Sequence, residues 1–309
     1  MNKPLLSSGW LVLDKPLDIS SSQALNSLRR YFKPLKVGHA GTLDPLASGI
    51  LPVAIGEATK TIQFCMDKEK EYQFTVTWGF ERTTDDLEGE IVKTSNLRPL
   101  VSEIEQALQP FRGHIMQTPP IFSAIKIAGK RAYDLARNVT SSSTENNDAN
   151  IEMQPRPIYV KSLEILRHDE DSCTFRVACG KGTYVRSLAR DIGRLLGCYG
   201  YVSALRRTRV GAFGTENSPN KIISLELLKN IIYEGRLEDY LYPIDAVLDD
   251  IPAAEITDSQ VTLIRNGREL NLNEASRHNG LIALQSSGNL VAIGSLSGGV
   301  FRSQRVFNN

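Results

Sequence analysis

From Gly38 to Gly49 the chain reads Gly-His-Ala-Gly-Thr-Leu-Asp-Pro-Leu-Ala-Ser-Gly, a glycine-punctuated stretch whose one acid, Asp44, precedes a proline. Proline disfavours the helical region for the residue before it, so Asp44 is expected on a tight, rigid loop. An aspartate with an ordinary pKa near ~3.9 is ionised at neutral pH and can serve as a nucleophile without an adjacent base. Asp-Pro is also a common turn former through the Asx side chain, and local chemistry leaves both readings open. A second feature is the recurrence of Arg186, Arg190 and Arg194 at every fourth residue. They fall inside Asp171 to Val210, where eight basic residues face two acids, whereas from Glu81 to Glu105 seven acids face three bases. A local basic block can bind phosphate through counterion release. It can equally be a solvated face.

Other chemistries find little support. The four cysteines (Cys65, Cys173, Cys179 and Cys198) show no Cys-x-x-Cys spacing, and the four histidines are isolated from one another. Neither a zinc ribbon nor a redox pair is indicated, and the thiols read as packing residues. The 36 basic and 35 acidic side chains nearly cancel, so whole-chain charge does not point to a nucleic-acid partner. No run approaches the roughly 18 apolar residues of a membrane helix. The apolar run Trp10 to Leu13 meets Asp14 at once, too soon for a signal-peptide core. The expected location is the cytoplasm.

These candidates need elements to position them. Leu11 to Leu13 reads as a short buried strand, and Ser20 to Ser22 as the cap of a helix carrying Leu25, Leu28 and Phe32. Tyr72, Phe74, Val76 and Trp78 alternate and should share one sheet face. Leu100, Val101, Ile104 and Leu108 have helical spacing. A helix is expected from Thr183 to Leu196, with Val185, Leu188, Ile192 and Leu195 as its apolar stripe and the arginines on another face. Asn138 to Asn150 is polar and short of apolar side chains, which predicts a surface loop. Ser224 to Gly235 reads as a capped helix. Beyond about Asp245 short apolar runs alternate with glycines, and residues 281–284 and 290–293 should form a hairpin. Strands and helices without regular βαβ alternation favour an α+β fold. The expected division is 1–244 for a catalytic domain, with 138–150 inserted, and 245–309 for a small β-rich domain.

The run from Val37 to Lys60 resembles, nearly residue by residue, the nucleophile motif of the bacterial TruB-type tRNA pseudouridine-55 synthases. Three further blocks stand in the family's order: Leu13-Asp14-Lys15-Pro16 with Ser20-Ser21, then Gln117 to Lys126, then Gly180 to Leu188. The likeness covers roughly residues 9 to 212. It implies a pseudouridine-synthase core, a bent and largely antiparallel mixed sheet, followed by a PUA-like domain that grips tRNA. It implies isomerisation of a T-loop uridine by base flipping, with no cofactor or metal, no obligatory protein partner and a monomeric enzyme acting on tRNA.

By position, the resemblance makes Asp44 the catalytic carboxylate and Arg186 the cation that pairs with it and holds its pKa down. Tyr72 would stack on the flipped uracil, Tyr184 and Leu205 would line the base pocket, and His39 would pack against displaced loop bases. Lys15, Lys181, Arg206 and Arg207 would contact phosphates. Each has a plainer reading as core packing, a structural turn or a surface charge. The chain departs from the family pattern at Leu17-Asp18, where the family commonly has glycine, and the acidic turn Thr84 to Gly89 is a loose match. The rival reading is a non-catalytic RNA-binding or tRNA-folding protein on the same scaffold.

Overall fold

The computed structural model describes residues 8–123, 126–127, 130–131, 153–214, 221–272 and 279–308. The polar run 138–150, and Ala124 and Ile125 of one motif block, lie outside the described residues. In chain order the elements begin with β1 (Gly9–Lys15), α1 (Ser21–Phe32), β2 (Val37–His39), β3 (Ala47–Ile55), α2 (Ile62–Asp67) and β4 (Lys70–Trp78). Next come β5 (Phe80–Arg82), β6 (Ile91–Thr94), α3 (Val101–Ala107), β7 (Gly113–Gln117) and the short pair β8 (Lys126–Ile127) and β9 (Lys130–Arg131). They are followed by β10 (Arg156–Asp169), β11 (Ser172–Cys179), α4 (Val185–Leu195), β12 (Gly200–Val210), β13 (Phe213–Gly214), β14 (Ile222–Ser224) and α5 (Leu225–Tyr233). The last elements are β15 (Ala253–Glu255), α6 (Asp258–Arg265), β16 (Leu270–Asn271), β17 (Gly280–Ser286), β18 (Asn289–Ser297) and β19 (Val300–Val306). Contacts gather them into two units, 1–45 with 49–68 and 210–309, and 46–48 with 69–209.

In the first unit β1 runs antiparallel to β3, from Gly9 opposite Ile55 to Lys15 opposite Gly49, and parallel to β14. The period-two alternation of β1 feeds two cores. Leu11 and Leu13 join Leu25, Leu28 and Phe32 of α1 on one face. Trp10 and Val12 join Phe213, Ala283, Ile293 and Phe307 on the other. Helix α1 starts where expected, because Ser20 has extended backbone and forms a reciprocal capping box with Gln23. The C-terminal strands form a sheet ordered β15-β17-β18-β19-β16. Its predicted hairpin turns through Ser287 and Gly288, both at positive φ (51° and 75°), as a two-residue hairpin loop requires.

In the second unit the strands follow the order β12-β4-β11-β10-β7. Phe74 of β4 stacks on Phe175 of β11 with ring centroids 5.2 Å apart, and Trp78 meets the same ring edge-on at 6.4 Å. The α+β class and the β-rich C-terminal sheet agree with expectation. Two apolar stripes do not close as predicted. Ile104 and Leu108 are buried, but Leu100 and Val101 are exposed, since Leu100 precedes the helix as its cap. Leu195, assigned to the stripe of α4, is also exposed, because it is the helix's last residue.

Candidate active site

In the first unit Asp44 is half-buried on a loop fixed on both sides. The Ser21 hydroxyl accepts from the Leu43 amide at 2.8 Å and donates to the Leu43 carbonyl at 3.0 Å. On the other flank the Asp18 amide donates to the Pro45 carbonyl at 2.9 Å. Gly41 (φ 86°) and Gly49 (φ 104°) bracket the loop in backbone conformations that side-chain-bearing residues rarely adopt. A residue between such anchors has little backbone freedom, which presents its carboxylate in one place. His39, at the end of β2 opposite Val53, is half-buried. Lys15 is fully buried, and its ammonium donates to the carbonyls of Pro16 and Ile19, both at 2.8 Å. It organises the 16–19 turn from inside, a role that differs from the phosphate contact expected of it.

In the second unit α4 is held by a ladder of ion pairs. Arg186 donates to Asp86 Oδ2 at 3.1 Å and to the carbonyls of Thr84 and Phe122 at 3.2 and 3.0 Å. One turn on, Arg190 donates to Asp85 Oδ2 at 3.0 Å, to Asp191 at 2.8 Å and to the Thr118 carbonyl at 2.8 Å. One turn further, Arg194 grips Glu81 through two bonds of 2.7 and 2.9 Å. The i, i+4 spacing puts the three guanidinium groups in a row, and the 81–86 segment supplies an acid to each. Burial pushes the Asp85 carboxyl up to about 6 against the pull of Arg190, whereas the hydrogen bond from Arg194 holds Glu81 below the usual carboxylate range.

The motif block starting at Gln117 docks on the same helix. Its side chain takes both backbone groups of Tyr184, accepting from the amide at 2.9 Å and donating to the carbonyl at 3.0 Å, so it fixes the residue that enters α4. The Ser187 hydroxyl donates to the Thr118 carbonyl at 2.9 Å. Tyr184 is half-buried and Leu205 on β12 is buried. Tyr72 lies opposite Val177 at the end of the aromatic row of β4, half-buried where Phe74, Val76 and Trp78 are enclosed. Lys181 is exposed and Arg206 is half-buried, 3.5 Å from Ser48 Oγ, but Arg207 is enclosed at 1 % exposure. The cysteines are all buried, and desolvation pushes Cys173 up to about 12 and Cys179 and Cys198 up to about 11. Those three stay thiols at neutral pH and lack the thiolate a nucleophile needs.

Sequence reading did not single out Asp85, Asp86, Glu81, Gln117 or Ser21 as residues that hold the site. The signal for the acids was present in the opposed charge blocks at 81–105 and 171–210. Much of the basic block is matched within the fold: besides the ladder, Arg209 pairs with Glu69 at 2.5 Å.

A family model described as "TruB family pseudouridylate synthase (N terminal domain)" matches residues 29–185. A model described as "tRNA pseudouridylate synthase B C-terminal domain" matches residues 186–249. The chain is 47% identical to a tRNA pseudouridine synthase B of Bradyrhizobium diazoefficiens, a match covering 97% of this chain and 86% of the relative. It is 46% identical to a protein of the same name from Agrobacterium fabrum, covering 97% and 94%. Among solved structures it is similar to a chain in the crystal structure of a Cbf5-Nop10-Gar1 complex, with a TM-score of 0.73 and 25% identity over 97% of this chain and 85% of that one.

Proposed function

The chain belongs to the TruB family of pseudouridylate synthases, and from that premise we propose that it converts uridine 55 in the T-loop of tRNA to pseudouridine with Asp44 as nucleophile. The reaction breaks the bond from ribose C1′ to uracil N1 and forms one from C1′ to C5. N1 gains a proton and C5 loses one, so the change is an isomerisation that balances without a redox partner. The observation that carries this reading is Asp44 itself, a half-buried carboxylate on a loop anchored at both neighbouring residues. An anchored charge does not reorganise when the ribose reacts, which is the main electrostatic advantage of a folded site.

In this proposal the target uridine leaves the stack at a cost of a few kcal/mol, and Tyr72 offsets much of it, since stacking on an aromatic ring contributes about 1–3 kcal/mol. Tyr184 and Leu205 close the base pocket, and His39 meets the displaced loop bases. Arg186 supplies the guanidinium that pairs with the Asp44 carboxylate and orients it. Lys181 and Arg206, which unlike Lys15 and Arg207 are not enclosed, contact phosphates, and residues 245–309 grip the tRNA beyond the modified loop.

The test is pseudouridine formation on a tRNA transcript by the purified protein, mapped at nucleotide resolution. We expect the parent to modify position 55 unaided and Asp44→Asn to lose at least about a thousand-fold in rate, the order seen when one group of a catalytic unit is removed. Full turnover by Asp44→Asn would remove it as nucleophile. Binding without modification by the parent would favour the RNA-folding reading, and a need for added proteins or a guide RNA would favour a guided assembly.

A further inference from the structure

Between Asp18 and Asp44 the chain has no acidic residue, and Arg29, Arg30, Lys33 and Lys36 fall within eight positions of that stretch. The fold gathers three of the four. Arg29, Lys33 and Lys36 line a cavity of about 480 Å3 together with Leu35, Val37 and Ile62. Arg30 is engaged elsewhere, bonded to the Tyr31 hydroxyl at 2.6 Å and lying 4.7 Å from its ring centroid. None of the three lining cations has an acid or other hydrogen-bond partner among the described residues.

Such an arrangement is unfavourable by itself, because like charges one helical turn apart repel. The negative end of the α1 dipole favours cations in the last turn, which accounts for Arg29 and Arg30 but not for Lys36, which lies beyond the helix. Three cations and apolar side chains lining one cavity match one chemistry well: an anionic phosphate joined to a flat or furanose group with an apolar face. The cavity's size falls within the range of about 300–1,000 Å3 common for small-ligand sites.

We propose that this cavity binds one nucleotide unit of the tRNA substrate outside the reacting position, its phosphate between Arg29, Lys33 and Lys36 and its ribose or base against Leu35, Val37 and Ile62. The inference rests on the reading of tRNA as substrate. Gly38 lies on the cavity wall and precedes Asp44 by six residues, a length that spans at most about 20 Å of extended chain. The bound nucleotide therefore lies close to the reacting one, and its contact fixes the orientation of the RNA as well as its affinity.

The experiment measures binding of fluorescently labelled full-length tRNA across a salt series, without turnover. The triple variant Arg29→Gln/Lys33→Gln/Lys36→Gln should bind at least about ten-fold more weakly at low salt, with a salt slope shallower by roughly 0.7–0.9, the contribution of the one phosphate it holds. Arg30→Gln and Lys33→Arg/Lys36→Arg should both retain the parent slope. Matching unfolding curves for all variants show that the fold is intact. A triple variant with the parent's slope overturns the proposal. So does an Arg30→Gln variant with an equal loss per charge, which would mean a diffuse field and no site. A parent that binds tRNA through these residues yet forms no pseudouridine would sink the proposed reaction and leave this contact standing.

Discussion

Arg190 on α4 has all three of its guanidinium nitrogens bonded, to two carboxylates and a carbonyl, whereas Arg29 at the end of α1 faces a cavity with no acid on its wall. Both belong to segments that look basic in the sequence. The difference is where the opposite charge resides. The block around α4 has its complement about a hundred residues earlier, at Glu81, Asp85 and Asp86. The run at 29–36 has no such complement among the described residues. Segment charge alone therefore does not rank these regions as ligand sites: the arginines of α4 are paired within the fold, and the cavity beside the shorter run has no acid in its lining.

The most direct way to break that contrast is to remove one cation from each region. Arg190→Ala leaves the Asp85 carboxylate, itself 6 % exposed, without its strongest partner. Deleting one member of a buried ion pair costs about 3–5 kcal/mol, so chemical denaturation should show a shift of that order. Arg29→Ala removes an exposed side chain with no partner among the described residues and should stay within about 0.5 kcal/mol of the parent. Equal effects from the two variants would abolish the distinction.

A smaller effect tests the ladder from the side of its acids. The Asp85 carboxyl sits near 6 in the folded state because desolvation outweighs the attraction of Arg190. A raised acid binds its proton more readily in the folded than in the unfolded chain, so its favourable contribution is complete below about 4 and is lost as pH rises through about 6. Measured against Asp85→Asn, the parent should lose stability between pH 4 and 6, on the order of 3 kcal/mol, and run parallel above that window. A parent that instead gains stability over the same interval would mean that Arg190 prevails and that the carboxyl is held down.

What the sequence disclosed and what it hid follow from range. The capping box at Ser20, the alternation of β4 and the Ser287-Gly288 turn are each decided within a few residues, and all three were readable. The Asp44 loop was readable as a rigid presentation of one acid, but its anchors were not, because Ser21 and Leu43 are brought together only by the fold of the first unit. The ladder was hidden for the same reason at a larger separation. The departure at Leu17-Asp18 has a backbone reading: Asp18 adopts φ 64°, the left-handed conformation that glycine favours and aspartate tolerates better than most other residues. Its amide still reaches Pro45. Burial was the least readable property: Lys15 and Arg207 look like phosphate ligands in the sequence and are enclosed in the fold.

The outermost rung gives the smallest effect and the sharpest comparison, because Arg194 shares features of both regions. It pairs with Glu81 through two short bonds, as the inner arginines pair with their acids, but its side chain is 49 % exposed. Solvent screening reduces such a pair to about 1 kcal/mol or less, and Lys93 remains 3.4 Å from Glu81 as a substitute cation. Arg194→Ala should therefore destabilise by only about 1 kcal/mol, and the loss should depend on pH in the opposite sense to that of Asp85. The Glu81 carboxyl is lowered, first by its hydrogen bond with Arg194. Its contribution is present above the ordinary glutamate value near ~4.3 and fades as pH falls through the lower folded value. The parent and Arg194→Ala should thus differ at pH 7 and converge in acid, read from denaturant midpoints at both ends of the range. Convergence at neutral pH instead would place Arg194 with Arg29, which has no acid partner among the described residues.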